Sequence, residues 1–310
     1  MKKISFVING LLRNINSRTK EIELLLGGDF NISYHISQKS ADSISLSRKC
    51  IEEGTDYIIG IGGDGTLNEV INGIMLAEKS KRKNVKVGLL PTGSGNDFAK
   101  SMNLDDHVST LRNLIEKDQS VSIDIGRIEC KDNFGNDTVR YFNNIADVGL
   151  GGEVVVKVNK SSKLFSPTFR YLKSSVEAFF TYRKKRVRFT SSHFSWEGAV
   201  LILCLANANY FGSGLGIAPH ARVDDGKMAV VIAGEISLFD YLRNLSRIRN
   251  KELINHPGIL YQEVESCTIE PVEDNLMIET DGEIAGRLPL KLSVLNREVE
   301  FLAPKYLEGR

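Results

Sequence analysis

Hydrophobic positions in the first 120 residues follow two kinds of pattern. Nearly continuous apolar runs at Ile4–Ile8, Tyr57–Ile61 and Val85–Leu90 predict strands of a parallel sheet, because such strands are buried on both faces. Between these runs, apolar residues recur at helical spacing. Strands and helices that alternate in this way predict a doubly wound α/β domain. Helices are predicted at Thr19–Leu26, Ala41–Glu53, Val70 to about Lys79 and Phe98–Met102, a further strand at Asn31–Ser37, and a basic surface loop at Ser80–Asn84.

The pattern changes near residue 128, where short strands with Gly, Asp and Asn in the intervening turns become dominant. Such spacing predicts an antiparallel, β-sandwich-like domain. Two stretches with helical spacing, roughly 151–184 and 238–253, interrupt it. We therefore predict an α/β domain at 1–128, a β-rich domain at 129–300 and a tail at 301–310 that can return to the first domain. The strands are predicted at Ile125–Cys130, Val139–Asn144, Val187–Thr190, Ala199–Ala206, Met228–Ile232, Cys267–Glu270, Leu276–Thr280, Leu290–Val294 and Glu298–Leu302.

Composition restricts the class of protein. With 42% hydrophobic and 25% charged residues, the 310-residue chain has the composition of a soluble globular protein. Its net charge of +1 gives no global reason to expect nucleic-acid binding. The four cysteines lack metal or redox spacing, and the longest apolar run, Gly198–Ala206, is too short for a membrane span. We expect a cytoplasmic protein.

The stretch Gly62–Glu69 joins a predicted strand to a predicted helix. Its glycines let a bulky anion approach the backbone, and amides at a helix N-terminus bind phosphate oxygens. Asp64 would repel bound phosphates unless a cation lies between them or the carboxylate handles a proton. The stretch therefore predicts a nucleoside triphosphate site with Mg²⁺. The alternative is a tight turn followed by a helix N-cap.

A second turn of the same kind, Pro91–Phe98, follows the next predicted strand. Ser94, Asn96 and Asp97 supply a hydroxyl, an amide and a carboxylate, although Asp97 also suits a helix N-cap. Ligands of open α/β sheets bind at the carboxyl ends of the strands. We therefore expect the two turns to form two walls of one crevice.

Together these two turns resemble the catalytic domain of diacylglycerol kinases, a family whose relatives include bacterial lipid kinases and the sphingosine and ceramide kinases. Gly-Gly-Asp-Gly alone is shared with NAD kinases and phosphofructokinases, so the resemblance implies their fold for the first domain. The chain is similar to the family in further segments, in the same order, at Phe142–Ala146 with Gly149–Gly151, Asn207–Gly214 with Ile217–Pro219 and Asp224–Gly226, and Asp281–Glu283.

One segment departs from the family pattern. The family's first turn usually reads Asn-Pro followed by small residues, whereas this chain has Asn9–Asn14, with glycine in place of the proline. The threonine that usually follows the second strand is also missing, and Ser37 is the nearest candidate. The departure implies that this first turn holds the phosphates differently from the family pattern or alters the affinity for ATP.

The resemblance implies an ATP- and Mg²⁺-dependent lipid kinase that transfers the γ-phosphoryl group to a lipid hydroxyl, with diacylglycerol as first candidate and phosphatidic acid as product. Alternatives are another lipid alcohol, a soluble acceptor such as NAD, or a catalytically weak lipid-binding homologue. The active site is expected in the cleft between the two domains. The implied nucleotide-binding residues are Asn9, Ser37, Gly62, Gly63, Asp64, Gly65, Thr66, Leu67, Asn68, Ser94, Asn96 and Asp97.

Three carboxylates are candidates for catalysis. Residues two apart in an extended segment point to the same face, so Asp281 and Glu283 can aim into one cleft. We favour Glu283 as the general base, with Asp281 second or as a metal organiser. Asp64 would hold Mg²⁺ through water or act on the acceptor. The alternative for Asp281–Glu283 is a hairpin turn with solvated acids.

A metal site is implied at the Val223–Lys227 turn. By the resemblance, Asp225 would bind a structural Mg²⁺ with backbone carbonyls of Arg222 and Lys227, and Asp124 would belong to the hydrogen-bond network behind it. Oxygen ligands from one tight loop suit a hard cation. The alternative is an ordinary hairpin turn, for which Asp-Gly is a strong signal.

The segment Lys157–Arg188 contains ten basic residues and one acidic residue, with aromatic residues between them. Such a segment suits the surface of an anionic bilayer, and the stretch 238–253 could assist. Alternatives are a solvated helix face or a nucleic-acid patch, of which we favour neither. We expect peripheral membrane association and no nucleic-acid partner. A homodimer is compatible with the sequence.

Overall fold

The computed structural model describes residues 1–161, 167–273 and 275–304. Its chain divides into two units, one formed by Met1–Ile123 together with the chain from Arg297 onward, the other by Asp124–Asn296. The sequence had placed the division at residue 128 and the returning tail at 301. Of that tail, residues 305–310 lie outside the described residues, as do Lys163 and Phe165 of the basic segment.

The first unit contains the predicted parallel sheet, in the order β2-β1-β3-β4. The last residues of the chain's final strand extend it, since Glu300 and Phe301 pair in parallel with Lys86 and Val87. The strands are β1 (Lys3–Ile8), β2 (Asn31–Ile36), β3 (Tyr57–Gly62) and β4 (Lys86–Pro91), and the helices are α1 (Ile15–Leu26), α2 (Asp42–Glu52), α3 (Asp64–Leu76), α4 (Lys79–Arg82), α5 (Asp97–Ser101) and α6 (Val108–Glu116).

A buried cluster that includes Phe6, Ile59 and Leu114 joins the sheet to α1 and α6. Helix α3 is buried along ten consecutive positions, from Thr66 to Met75, which makes it the inner helix of this unit. Several details differ from the sequence prediction, which did not include helix α6. Helix α1 begins four residues early, and the predicted loop after α3 contains the single helical turn α4.

The second unit is built from two antiparallel layers that share one core. One layer has the order β12-β11-β10-β7-β14-β15, and the other joins β9, β8 and β13 to β15. Val187 and Ile269 from one layer pack with Val148 and Ile278 from the other, so the predicted sandwich is confirmed. The strands are β5 (Ser120–Lys131), β6 (Asp137–Phe142), β7 (Ile145–Gly149), β8 (Lys185–Thr190), β9 (Ser195–Val200), β10 (Ile202–Ala206), β11 (Met228–Ala233), β12 (Ile259–Val264), β13 (Ser266–Pro271), β14 (Met277–Thr280) and β15 (Glu283–Leu302).

Three helices lie over the outer face of the first layer: α7 (Leu150–Lys160), α8 (Pro167–Thr181) and α9 (Leu238–Arg249). They fall within the two predicted helical insertions. A second apolar cluster, which includes Val154, Ala178 and Cys204, joins α7 and α8 to the sheet. Among the described residues, no helix has the length and apolar content needed to cross a bilayer.

The strand predictions in this unit were wrong in several details, and strand β7 was not predicted. The run 199–206 is two strands interrupted at Leu201, whose backbone bonds to both Leu150 and Ala233. Strand β12 was not predicted, because its residues are only partly buried and its pattern is correspondingly weak. The two last predicted strands are parts of one 20-residue strand, β15.

Candidate active site

The two glycine turns of the first unit are in direct contact. The backbone N–H of Thr92 donates to the Gly62 carbonyl at 2.8 Å. A β-carbon on Gly93 would overlap the Gly63 Cα, so only glycine at both positions allows this approach. The structure thus brings together the two segments that the sequence had assigned to one crevice.

Asp64, the first residue of α3, holds the second turn in place. Its carboxylate accepts hydrogen bonds from the backbone N–H groups of Asp97 and Phe98, both at 3.1 Å. These amides begin α5, and the residue before them, Asn96, has a left-handed backbone with φ of 51°. Asp97 is therefore not the cap of its own helix, since Asp64 supplies that cap from α3.

Glu69, one turn further along α3, does the same for α2. Its carboxylate accepts from the backbone N–H groups of Ala41 at 2.8 Å and Ser43 at 3.1 Å. Ala41 has a left-handed backbone and no capping side chain of its own. The sequence analysis missed this role. The sequence signal was a helix that begins after alanine, because alanine cannot cap a helix with its side chain and another residue must supply the acceptor.

The first turn of the chain is tied to the same place. Asn9 donates from Nδ2 to Thr66 Oγ1 at 3.1 Å, and its Oδ1 accepts the N–H of Leu11. The Ser37 hydroxyl accepts the N–H of Gly10 at 3.1 Å. A β-carbon on Gly10 would overlap the Ser37 carbonyl oxygen, so the glycine that replaces the family's proline is required by this contact. Asn9, Ser37 and Thr66 therefore meet at the carboxyl ends of β1, β2 and β3.

Not every predicted nucleotide-binding residue can reach a ligand with its side chain. Leu67 is fully buried in the core, and the Asn68 side chain accepts a hydrogen bond from Asn72. Ser94 is exposed at the tip of the second turn. Two buried oxygens nearby, Thr92 Oγ1 and Asn96 Oδ1, have no hydrogen-bond partner among the described residues. Such orphaned acceptors and hydroxyls fit a site that binds a polar ligand or its solvated cation.

Asp281 and Glu283 in the second unit do not share a face. Asp281 and Gly282 form the turn between β14 and β15, with φ values of 49° and 93°. The Asp281 carboxylate is buried and accepts the backbone N–H groups of Asn143, Asn144 and Ile145 at 2.8–3.2 Å, while Glu283 is exposed. The same-face prediction was wrong because it assumed an extended segment where the chain turns.

A buried carboxylate pair in the second unit was not predicted. Asp147 and Glu279 lie opposite each other on β7 and β14 and are 1% and 5% exposed. Among the described residues, no N–H group donates to Asp147, and Glu279 receives a hydrogen bond from the Gly282 N–H. Burial raises the pKa of both carboxyls, so the two groups are held together by a shared proton.

Among the described residues, no basic group perturbs the pKa of either carboxyl. Tyr182 and Cys204 face the pair, and burial raises the pKa of both groups, which therefore stay neutral. Gly151 lies directly against the Asp147 carboxylate and leaves no room for a side chain. The sequence signal was an acid inside the apolar run Ile145–Val148, which is unusual for a buried strand.

The Asp225 loop has the donor chemistry of a hard-cation site. Asp124 accepts the Gly226 N–H at 2.7 Å, and Asp225 accepts the Lys227 N–H at 3.0 Å, which fixes the loop. Partial burial and the nearby Glu263 raise the pKa of Asp225, a penalty that a bound cation would relieve. The described residues contain no cluster of three or more His, Cys, Asp or Glu side chains that could hold a metal. A cation here would therefore depend on the backbone carbonyls of Arg222 and Lys227.

An apolar cavity of about 100 Å³ lies between the sheet of the second unit and its three covering helices. Gly151 of α7 belongs to its wall, so the carboxylate pair lies just behind that wall. The cavity can accommodate hydrocarbon and offers few polar partners. Its lining includes Val154, Tyr171, Phe179, Ile202, Tyr241 and Ile259.

Comparison with known proteins agrees with this geometry. A family model described as "Diacylglycerol kinase catalytic domain" matches residues 7–128, and one described as "YegS C-terminal NAD kinase beta sandwich-like domain" matches residues 144–303. A diacylglycerol kinase of Staphylococcus carnosus is 30% identical over 276 residues, covering 89% of this chain and 86% of the relative. The chain belongs to the diacylglycerol kinase family. At the level of the family it is a lipid kinase, and the resemblance seen in the sequence motifs is confirmed.

Other relatives give the same result. A diacylglycerol kinase of Staphylococcus haemolyticus is 27% identical over 89% of this chain and 79% of its own length. The crystal structure of a diacylglycerol kinase from Bacillus anthracis matches with a TM-score of 0.71 at 16% identity, covering 98% and 97% of the two chains. Yeast NADH kinase complexed with NADH matches with a TM-score of 0.56 at 10% identity, covering 98% of this chain and 84% of the other. These two structures support the fold alone.

Proposed function

We propose that this lipid kinase transfers the γ-phosphoryl group of ATP to the hydroxyl of a lipid alcohol, with diacylglycerol as first candidate acceptor and phosphatidic acid as product. The bond between the γ-phosphorus and the β–γ bridging oxygen breaks, and a bond from the acceptor oxygen to that phosphorus forms. The observation that carries the proposal is the meeting of three strand-end turns in a member of this family, where Asn9 bonds to Thr66 and the Asp97 N–H bonds to Asp64.

On the donor side, the turns of the first unit would hold the nucleotide. The amides after Gly62 and at the start of α3 suit phosphate oxygens, and Thr92 Oγ1 and Asn96 Oδ1 are available for hydrogen bonds. Mg²⁺, when bound, would neutralise charge on the transferring phosphoryl group. Asp64 would orient it while its own position is fixed by the α5 amides.

On the acceptor side, two features favour a lipid. The cavity of the second unit is apolar, which suits an acyl chain and disfavours a soluble acceptor such as NAD. Glu283 is the exposed carboxylate next to the hairpin turn, and we assign it the proton of the acceptor hydroxyl. Asp281, whose carboxylate is held by three backbone amides, is a positioning residue that fixes the hairpin.

We also propose peripheral membrane association, because a lipid acceptor resides in a bilayer. The basic segment Lys157–Arg188 supports this less strongly than its composition indicates. Lys184 pairs with Glu235, and Arg186 and Arg188 both pair with Glu197. Part of the positive charge in this segment is therefore neutralised within the unit itself.

A labelling assay tests the reaction. The full chain is incubated with γ-labelled ATP, Mg²⁺ and mixed micelles that contain diacylglycerol, monoacylglycerol or ceramide, and in parallel with NAD. We expect label in phosphatidic acid, strongly reduced in Glu283→Gln and unchanged in Glu270→Gln, an exposed glutamate on β13. Label in another lipid would identify that lipid as the acceptor in place of diacylglycerol. Label in NAD, or ATP binding without label in any acceptor, would contradict the proposal.

A further inference from the structure

Helix α9 is well formed, yet none of its residues is buried. It begins with a complete capping box, in which the Ser237 side chain accepts the Asp240 N–H and the Asp240 carboxylate accepts the Ser237 N–H. One face lines the apolar cavity through Asp240, Tyr241, Asn244 and Ile248. This helix is therefore a thin cover between the cavity and the medium.

The opposite face of α9 is apolar and basic. At 3.6 residues per turn, the positions opposite the cavity are Phe239, Leu242, Arg243, Ser246 and Arg249. Phe239 is 71% exposed and Leu242 is 47% exposed. Two large apolar side chains and two arginines thus share this outer face of α9, which carries no acidic residue.

Helix α8 also lines the cavity, and like α9 it presents large apolar side chains on its outer side. Phe169 and Phe180 are exposed on the side away from Tyr171 and Phe179, the cavity-lining residues. Lys173 on that side pairs with Glu177 at 3.7 Å, so with Arg170 the helix α8 adds apolar surface and a net charge of +1. Phe179 stacks on Tyr241 of α9, which places the two helices side by side.

We propose that the outer face of α9 is the docking surface for an anionic bilayer. Phe239 and Leu242 enter the interfacial region, and Arg243 and Arg249 contact lipid phosphates. A second copy of the chain is disfavoured as occupant, because a two-fold contact would bring the same arginines together. The inference rests on the proposed function in one respect, since the cavity beneath α9 would bind the lipid acceptor.

Vesicle flotation of the full chain tests the surface without requiring turnover. Vesicles are phosphatidylcholine alone or with one third phosphatidylglycerol. We expect Phe239→Ser with Leu242→Ser to weaken binding about tenfold on both. Arg243→Gln with Arg249→Gln should weaken it roughly fivefold per arginine on the anionic vesicles only.

The β5–β6 hairpin offers a matched control, because Phe134 is 90% exposed and Arg140 is exposed nearby. Phe134→Ser with Arg140→Gln should leave vesicle binding within twofold of wild type. Phosphorylation of a short-chain, water-soluble diacylglycerol separates docking from chemistry and should be the same in the α9 variants and in wild type. If that activity is absent in wild type while vesicle binding responds as expected, the proposed reaction fails and the docking surface stands.

Two results would overturn the docking surface. One is vesicle binding that is equal in wild type and both α9 variants. The other is a wild-type dimer that the Phe239 and Leu242 changes convert to monomer without altering vesicle binding, which would assign the face to a second copy of the chain. Light scattering of each variant measures the oligomeric state in the same samples.

Discussion

The carboxylates on helix α3 of the first unit and the Asp147–Glu279 pair of the second unit have opposite hydrogen-bonding environments. In the first unit, Asp64 and Glu69 on α3 each accept two backbone N–H groups at the start of a neighbouring helix. In the second unit, Asp147 receives no N–H group from the described residues, and its neighbour Glu279 receives one. Backbone amides fix the position of a carboxylate, whereas burial without such donors favours its protonated form.

Location in the fold does not decide this difference, because Asp281 also belongs to the second unit. It lies two residues after Glu279 and accepts three backbone amides. The decisive factor is the backbone around each carboxyl. Turns and helix starts present N–H groups that lack partners, while Asp147 and Glu279 lie within strands whose N–H groups are used by the sheet.

The largest effect is expected from Asp281→Ala. The change leaves three buried N–H groups without an acceptor, at about 1–3 kcal/mol each, so we expect a loss of more than about 3 kcal/mol in the free energy of unfolding. Asp281→Asn keeps the oxygen that serves Asn144 and Ile145 and should cost only about 1 kcal/mol. Urea denaturation of both variants measures this. Equal stability of the alanine variant and wild type would show that the three amide hydrogen bonds to Asp281 do not stabilise the fold.

Asp64→Ala should cost about as much stability as its counterpart Glu69→Ala, but much more activity. Each change removes the cap of a helix, which costs about 1–2 kcal/mol of unfolding free energy. In the proposed reaction Asp64, and not Glu69, would orient Mg²⁺, so we expect kcat to fall at least about a hundredfold for Asp64→Ala and less than about tenfold for Glu69→Ala. Thermal unfolding and kcat, measured on the same preparations, give the two readouts. Similar activity losses in both would mean that Asp64 acts only through structure.

The smallest effect is expected at the carboxylate pair, and it depends on pH. Burial raises the pKa of Asp147 to about 6 and raises that of Glu279 well above the ordinary value, so the folded state keeps protons that the unfolded chain releases above about pH 4. The stability that these protons supply is complete at low pH and declines as pH rises through the raised pKa values. We therefore expect the Tm of wild type to fall between pH 5 and pH 8.

Glu279→Gln removes one carboxyl and supplies a donor to Asp147. Its Tm should fall less over the same pH range, and at pH 8 it should exceed wild type in stability by roughly 1 kcal/mol, the value of about one pKa unit. Glu265→Gln, at an exposed glutamate between β12 and β13, should leave the profile unchanged. A variant profile that runs parallel to wild type would show that the pair does not share a proton.

Sequence reasoning predicted the local features of this chain well. Strands β1, β3 and β4 agree with prediction within one residue, because continuous apolar runs identify doubly buried strands. The glycine turns were identifiable since glycine spacing and strand ends are local signals. The Asp-Gly hairpin at 281–282 was also recognised as an alternative.

Long-range hydrogen bonds were beyond the reach of local patterns. Asp64 caps a helix 33 residues away, and Asp281 binds amides 136–138 residues away. Nothing in the pattern of either segment specifies such a partner. The pairing of Asp147 with Glu279 depends on the register of β7 against β14, which is a property of the whole sheet.

Helix α3 has a consequence for genetic screens. It fixes the starts of α2 and α5 through two side chains of its first six residues, next to the turn that we propose binds the nucleotide. A screen for loss of phosphorylation will therefore recover two kinds of allele from Gly62–Glu69: one makes normal amounts of inactive enzyme, and the other makes enzyme that is degraded. Protein abundance in the cell, scored with the phenotype, distinguishes them.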